Sequence, residues 1–164
     1  MDEQAVVSLI YRPQRKCILK RARAATGYFE HGSEVGFEHW NVLKSIEPSL
    51  FGEPVGMWFA ENLRPAHTSE YVMGIEVPLH YNAPPPVGMD TVVLDACLYL
   101  LFHGRPFPPE ELKRATDALK TEAKSYNPAA RNLKWAPDKA PVIEYDPLCE
   151  RGCMIAYPVE SLHD

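Results

Sequence analysis

Glu144 is a carboxylate in the middle of an apolar, strand-like segment. It lies in the segment Pro141-Val-Ile-Glu-Tyr145, with apolar neighbours on both sides. Glutamate is disfavoured in strands, and an unpaired carboxylate is costly enough to bury that its pKa shifts. Two alternatives follow. Either Glu144 faces solvent on the wet side of an antiparallel sheet, or it is a pocket carboxylate that binds a cation or polarises a water molecule.

Aromatic side chains are the second group that could form a site. Tyrosine and tryptophan keep a polar tip that needs a partner, and several of them around one carboxylate form a box suited to flat organic cations. The candidates on or beside predicted strands are Trp58, Tyr71, Tyr99, Tyr145 and Tyr157, together with Met57. Core packing is the alternative role for each of these side chains.

Other chemistries receive little support from the sequence. The six histidines show no spacing that selects a catalytic base, and no glycine-rich phosphate loop is present. Cys149-x-x-x-Cys153 is the only suggestive cysteine spacing, but a zinc site needs two further ligands. We therefore expect no metal and no cofactor, and we expect all four cysteines to be free, with Cys17 and Cys97 in the core.

The composition is that of a folded domain with a slight excess of acid. The 164 residues are 46% hydrophobic and carry a net charge of −5, which is not the electrostatic footprint of a nucleic-acid binder. No apolar run approaches the roughly 18 residues of a membrane span, and the N-terminus lacks the layout of a signal peptide. We predict a cytoplasmic protein that does not bind membranes. The basic cluster Arg12–Arg15–Lys16 is interpreted as a solvated strand edge.

The pattern of apolar residues predicts the same order of elements twice. Strands are expected at 5–11, 17–22, 54–59 and 71–77, and in the second half at 96–103, 142–146 and 154–159. A helix is expected at 33–46 with Ser33 as its N-cap, and another from Pro108 onward. The proline run at 84–86 is a stiff connector between the halves. A faint echo between 54–58 and 141–145 aligns Met57 with Glu144 and Trp58 with Tyr145.

This doubled order resembles the GyrI-like small-molecule-binding family, the effector domain of many AraC-type and MerR-type regulators. The residues that carry the resemblance are Pro141-Val-Ile-Glu-Tyr145, Met154-Ile-Ala-Tyr-Pro-Val159, Leu100-Leu-Phe-His-Gly104 and the segment 40–43. It implies an α+β fold of duplicated βαββ modules, with antiparallel sheets forming a ligand groove and helices packed on the sheets. The whole chain 1–164 would be one domain with pseudo-repeat halves at about 1–82 and 89–164. The family's pocket glutamate would fall on Glu144, with Trp58, Tyr71, Tyr99 and Tyr157 flanking the groove.

The resemblance leaves three functions open. The first is a stand-alone protein that binds or senses amphipathic or cationic aromatic compounds. The second is a hydrolase of strained, cyclopropane-containing electrophiles, in which Glu144 would deliver a proton or activate water and a nearby tyrosine hydroxyl would orient the leaving oxygen. The third is a protein that modulates DNA gyrase through a surface. Because the first predicted strand starts within a few residues of Met1, no helix-turn-helix precedes it, and direct DNA binding is not expected.

Overall fold

The computed structural model describes residues 5–163, in which nine strands form one antiparallel sheet. The strands are β1 (Val6–Arg12), β2 (Arg15–Lys20), β3 (Val55–Trp58), β4 (Tyr71–Val77), β5 (Asp90–Leu94), β6 (Cys97–His103), β7 (Leu133–Trp135), β8 (Val142–Tyr145) and β9 (Met154–Ser161). The helices are α1 (Tyr28–Val35), α2 (His39–Lys44) and α3 (Leu112–Ser125), with short 3-10 turns at Glu61–Leu63, Pro109–Glu111 and Pro128–Arg131. The predicted α+β fold class is confirmed.

The strand order is symmetric about its centre. It runs β1-β6-β9-β8-β3-β4-β2-β5, with β7 added beside β9. Outward from the central pair, β3-β4-β2 in one half corresponds to β8-β9-β6 in the other. The first strand of each half pairs with a strand of the other half. β1 pairs with β6, and β5 pairs with β2. Only Pro13 and Gln14 separate β1 from β2, so the two ends of the strand order lie close together and the sheet is strongly curved.

The two faces of the sheet carry different cores, since successive side chains of a strand point to opposite sides. One face, here called the helix face, carries the helices. Its core beside α2 includes Leu43, Tyr71 and Ile75, and its core beside α3 includes Phe102 and Leu119. The opposite face, here called the inner face, has a core of its own with members from both halves, and these include Cys17, Leu19, Val72, Tyr99, Ile143 and Ala156. On the helix face, the central strands β3 and β8 therefore lie between the half covered by α2 and the half covered by α3.

The first predicted helix is wrong in its extent. The segment 33–46 is divided between α1 and α2, because Gly36 adopts a φ of 84° that ends α1. Ser33 lies inside α1, which begins after Gly27, so Ser33 is not an N-cap. The seven predicted strands are present with ends shifted by at most two residues, while β5 and β7 were not predicted.

The expectation that all four cysteines are free is wrong for one pair. Cys149 and Cys153 form a disulfide with a Cα–Cα distance of 4.5 Å. The Cys149 amide donates to the Asp146 carbonyl over 2.7 Å and the Gly152 amide to the Cys149 carbonyl over 3.0 Å, so a tight turn brings the two thiols together. Cys17 and Cys97 are free and buried, as predicted. Within residues 5–163, no helix has the length and apolar character to cross a bilayer.

The interpretation of the basic cluster as a solvated edge is wrong for Arg15. This side chain is 1% exposed and forms an ion pair with Glu76, which is also buried. Arg12 contacts the same carboxylate over 3.1 Å. Because β2 and β4 are paired neighbours, Arg15 lies beside Glu76, and the short connection from β1 to β2 brings Arg12 to the same carboxylate. The predicted surface cluster thus contributes two arginines to an ionic network on the inner face.

Candidate functional site

Glu144 is buried at the centre of the sheet on the helix face. It is 5% exposed and is paired with Gly56 of β3 and Ile155 of β9. The Tyr71 hydroxyl donates a hydrogen bond to its Oε1 over 3.1 Å. Burial raises the pKa of Glu144 to about 7, although the Lys120 charge and the Tyr71 hydrogen bond act in the opposite direction. Of the two alternatives open from the sequence, the solvent-facing carboxylate is thus excluded.

Tyr71 is the hydrogen-bond donor of this site and is itself fully buried. Burial and the neighbouring Glu144 charge raise its pKa well above 10, so the phenol stays neutral. Its ring packs edge-to-face against the rings of Trp58 and His31, with centroid-to-centroid distances of 5.0 Å and 5.8 Å. The phenol is therefore held in place by neighbours on two sides.

Trp58 links this buried pair to the surface. Its Nε1 donates to the Thr26 carbonyl over 2.9 Å, which fixes the orientation of the indole. The Lys120 ammonium from α3 lies 4.6 Å from the centroid of the indole ring, in a cation–π contact. The aromatic face next to Glu144 is thus occupied by a positive charge of the protein itself.

Two adjoining cavities open between α3 and the sheet, and the smaller one borders Trp58. One, of about 520 Å³, is lined by Ala123, Lys124, Trp135, Pro137, Val142, Tyr157 and Pro158. The other, of about 410 Å³, is lined by Thr26, Trp58, Glu70, Lys120, Lys124, Val142 and Tyr157. Because the two share Lys124, Val142 and Tyr157, they form one groove, here called the α3 groove. Its volume and aromatic lining are those of small-molecule sites.

Glu144 does not line the α3 groove directly, but two of the lining residues interact with its charge. One is Lys120, described above. The other is Tyr157, whose pKa is raised to about 12 by burial and by the Glu144 charge. The ring of Tyr157 packs against Trp135 at 5.9 Å, inside the larger cavity. The carboxylate therefore lies just behind the groove wall.

The structure divides the predicted site residues between the two faces. Glu144, Trp58, Tyr71 and Tyr157 belong to the helix face. Met57, Tyr99 and Tyr145 belong to the inner face, where all three are in the buried core. Ligand binding by any of these residues stays a prediction. The register, however, separates Met57, Tyr99 and Tyr145 from the carboxylate by the thickness of the sheet.

The alignment of Met57 with Glu144 is wrong. Met57 pairs with Ile143, and residues that pair across an antiparallel ladder point to the same face. Glu144 lies one position further along β8 and points to the other face, above Gly56 and beside Trp58. The alignment of 54–58 with 141–145 is therefore off by one residue, and a shift of one residue along a strand moves each side chain to the opposite face of the sheet.

Two residues of the site were not found from the sequence. Lys120 carried a weak signal, since it is four residues before Lys124 on the helix predicted from Pro108 onward, but a solvated helix surface has the same pattern. Tyr28 carried none, because it precedes the predicted helix. Its pKa is raised by burial and by the Glu144 charge, so it belongs to the same surroundings. Among residues 5–163, no three or more His, Cys, Asp or Glu side chains are grouped as metal ligands.

No protein-family model and no curated protein sequence matches this chain. Solved structures do. The chain is similar to the C-terminal domain of EcmrR, with a TM-score of 0.53, 13% identity, and 96% of this chain and 98% of the other covered. It is similar to SAV2435 bound to tetraphenylphosphonium, with a TM-score of 0.56, 11% identity, and 96% and 95% covered.

A third similar structure is described as a hydrolase. It is encoded by lin2189 from Listeria innocua, and the TM-score is 0.52 at 12% identity, with 96% of this chain and 93% of the other covered. At such low identities these likenesses show a shared fold and nothing of shared activity. The fold is the one that the resemblance to GyrI-like domains implied.

Proposed function

We propose that this chain is a member of the GyrI-like group that binds amphipathic aromatic compounds, cations among them, in the α3 groove. The observation that carries the proposal is Glu144, a carboxylate that is 5% exposed and has the Tyr71 hydroxyl as its hydrogen-bond partner. Its pKa is raised to about 7 even with the Lys120 charge nearby, so the ionised carboxylate is only partly compensated. A cation brought beside it supplies the remaining charge.

The surroundings of Glu144 suit a flat apolar body that carries such a charge. Trp58 and Tyr157 border the groove, and Trp135, Pro137 and Val142 line its larger part. Aromatic faces attract cations through the ring quadrupole, most strongly where water is excluded. One of the similar structures, SAV2435, is bound to tetraphenylphosphonium, a compound of this class.

Calorimetric titration with tetraphenylphosphonium tests the proposal. In Glu144→Gln the shape is kept and the charge removed, and we expect affinity to fall about tenfold. Triphenylphosphine oxide, a neutral compound of similar shape, should bind the two proteins equally. Glu70→Gln is the matched control, because Glu70 is an exposed carboxylate on the same groove and its removal should change affinity less than about threefold. Equal binding of the cation by wild type and Glu144→Gln contradicts the proposal.

A second candidate function is hydrolysis, and one geometric observation favours it. A carboxyl whose pKa is about 7 and a neutral phenol lie 3.1 Å apart in a buried site. A general acid or base is most effective when its pKa is near the working pH. Glu144 would take a proton from a water whose oxygen bonds to a ring carbon of a strained electrophile. The ring C–C bond would break, the proton would be returned to the released carbon, and Tyr71 would orient the carboxyl.

Turnover separates this second function from binding alone. Wild type is incubated with an aryl-substituted, electron-poor cyclopropane, and the ring-opened product is followed by chromatography. Hydrolysis requires product in wild type and its loss in Glu144→Gln, while Tyr71→Phe should slow the reaction about tenfold or more. Binding of the compound without turnover would exclude hydrolysis of this substrate class.

A further inference from the structure

Lys120 occupies the place that a cationic ligand would take. Its Nζ lies 4.6 Å from the centroid of the Trp58 ring, and its charge interacts with Glu144. These are the two attractions, one to an aromatic face and one to a buried carboxylate, that the proposed function assigns to a bound cation. The lysine therefore imitates the charged part of such a ligand.

The Trp58 face is rigid, whereas the lysine on it is not. The indole is fixed by its hydrogen bond to the Thr26 carbonyl and by its contact with the Tyr71 ring. Lys120 is half-buried, and within residues 5–163 it makes no side-chain hydrogen bond or ion pair. Its flexible four-carbon stem and strongly hydrated ammonium let it leave the ring for solvent, at the cost of the cation–π contact and of its attraction to Glu144.

Lys124 provides a natural comparison within the same groove. It is one helical turn further along α3, is exposed, and lines both cavities. It adds the same charge to the groove as Lys120. The cation–π contact with Trp58, however, is made by Lys120. If replacing Lys120 changes ligand affinity more than replacing Lys124 does, the excess is due to occupation of the Trp58 face and not to positive charge in general.

We infer that Lys120 is a tethered competitor that determines which ligands enter the site. A cation must displace it from Trp58, and only a bulky aromatic cation gains enough from also filling the apolar part of the groove around Trp135 and Val142. Small ammonium ions gain nothing there and are excluded. The inference rests on the proposed function and adds to it the residue that sets the ligand class.

The test compares Lys120→Met with Lys124→Met, two exposed or half-exposed helix positions where methionine preserves the stem and the helix. Tetraphenylphosphonium, tetramethylammonium and neutral triphenylphosphine oxide are titrated into each protein by calorimetry. We expect Lys120→Met to bind tetraphenylphosphonium about tenfold more tightly than wild type. Lys124→Met removes the same charge from the groove lining but leaves Lys120 on Trp58, so it should raise that affinity clearly less than Lys120→Met does. Lys120→Met should also gain measurable binding of tetramethylammonium, and the affinity for triphenylphosphine oxide should stay the same.

Three other results would overturn the inference, and the last of them would overturn the proposed function as well. Equal gains in both variants would show that net charge alone acts, and would overturn the inference while leaving the proposed function intact. An equal gain for the neutral compound in Lys120→Met would show that the lysine only blocks space, and would also overturn it. Failure of wild type and of both variants to bind any of the three compounds would overturn the proposed function, and the inference with it.

Discussion

The Tyr71 phenol lies directly over Gly56, the residue that pairs with Glu144 across the central strands. A Cβ added to Gly56 would be 2.7 Å from Cζ of the Tyr71 ring and would overlap its hydroxyl oxygen. The absence of a side chain at Gly56 therefore provides the space through which Tyr71 of β4 reaches across β3 to Glu144 of β8. Three strands meet in one hydrogen bond because the middle strand carries a glycine at this position.

Gly56→Ala should consequently disturb the buried pair. We expect the phenol to be pushed aside, unfolding stability to fall by about 1–3 kcal/mol through overpacking, and the pKa of Glu144 to rise further because its hydrogen bond is lost. Denaturant unfolding and NMR titration of the Glu144 carboxyl carbon measure the two effects. Gly104→Ala is the matched control, since its added Cβ would meet no atom closer than 3.8 Å. A Gly56→Ala protein with unchanged stability would contradict this account.

The burial of Glu144 predicts a specific dependence of stability on pH. The folded-state pKa of about 7 is above the ordinary value of 4.5, so between these values the folded protein keeps a proton that the unfolded chain has lost. The stabilisation is fully present below pH 4.5 and is lost as the pH rises through about 7. Relative to Glu144→Gln, wild type should lose about 3 kcal/mol between pH 4.5 and 8. Urea unfolding across this range measures the difference, and parallel pH profiles would contradict it.

The strands of this fold could be predicted because their apolar periodicity is local. Alternation in the segment 71–77 is enough to define β4, and long-range contacts do not alter it. The edge strand β5 was missed because it is short, follows the proline run and includes exposed Asp90 and Thr91. The break at Gly36 was missed because the apolar residues at helical spacing, Phe37, Trp40, Leu43 and Ile46, all follow it, and the predicted helix was extended back to Ser33 as its N-cap.

The site was only partly predictable, since its decisive features depend on register and on helix placement. Glu144 could be selected from its neighbours, but its burial could not, because a wet sheet face has the same local sequence. The echo aligned Met57 with Glu144 one residue out of register, whereas Trp58 is the residue of β3 that shares the face of Glu144. Lys120 meets Trp58 only because α3 crosses the sheet at that point, and no local pattern encodes this crossing.

A second titrating group acts on stability in the direction opposite to Glu144. His39 is 7% exposed, its Nδ1 is buried without a partner among the described residues, and its pKa is lowered to about 4 by burial and by the neighbouring His31. The folded protein keeps it neutral while the unfolded chain binds a proton below pH 6.5, so stability falls as the pH decreases from 6.5 toward 4. His39→Gln should flatten this acid limb, and the exposed His80→Gln should not. The melting temperature is measured between pH 4 and 6.5, and an equal dependence on pH in wild type and His39→Gln would contradict the assignment.

The ionic network on the inner face predicts a large cost for removing one partner. Glu76 is 1% exposed and is paired with both Arg12 and Arg15. Its removal leaves buried positive charge without compensation, so Glu76→Ala should destabilise the fold by about 3–5 kcal/mol. Asp90→Ala breaks the Arg21–Asp90 pair, in which the Asp90 side chain is 59% exposed, and should cost less than about 1 kcal/mol. Chemical denaturation of both variants tests the contrast, and similar losses would refute it.

The pKa of Glu144 also predicts how the binding of a permanent cation depends on pH. Tetraphenylphosphonium keeps its charge at every pH, so any change in its affinity reports on the protein. A cation is attracted by the ionised carboxylate and not by the neutral acid, and Glu144 ionises as the pH rises through about 7. Affinity should therefore increase about tenfold from pH 6 to 8, and the bound cation should lower the pKa of Glu144 by linkage. In Glu144→Gln the affinity should be the same at both pH values, whereas Glu70→Gln should retain the increase. An increase that survives in Glu144→Gln would assign the pH dependence to another group, and would remove this carboxylate from the binding site.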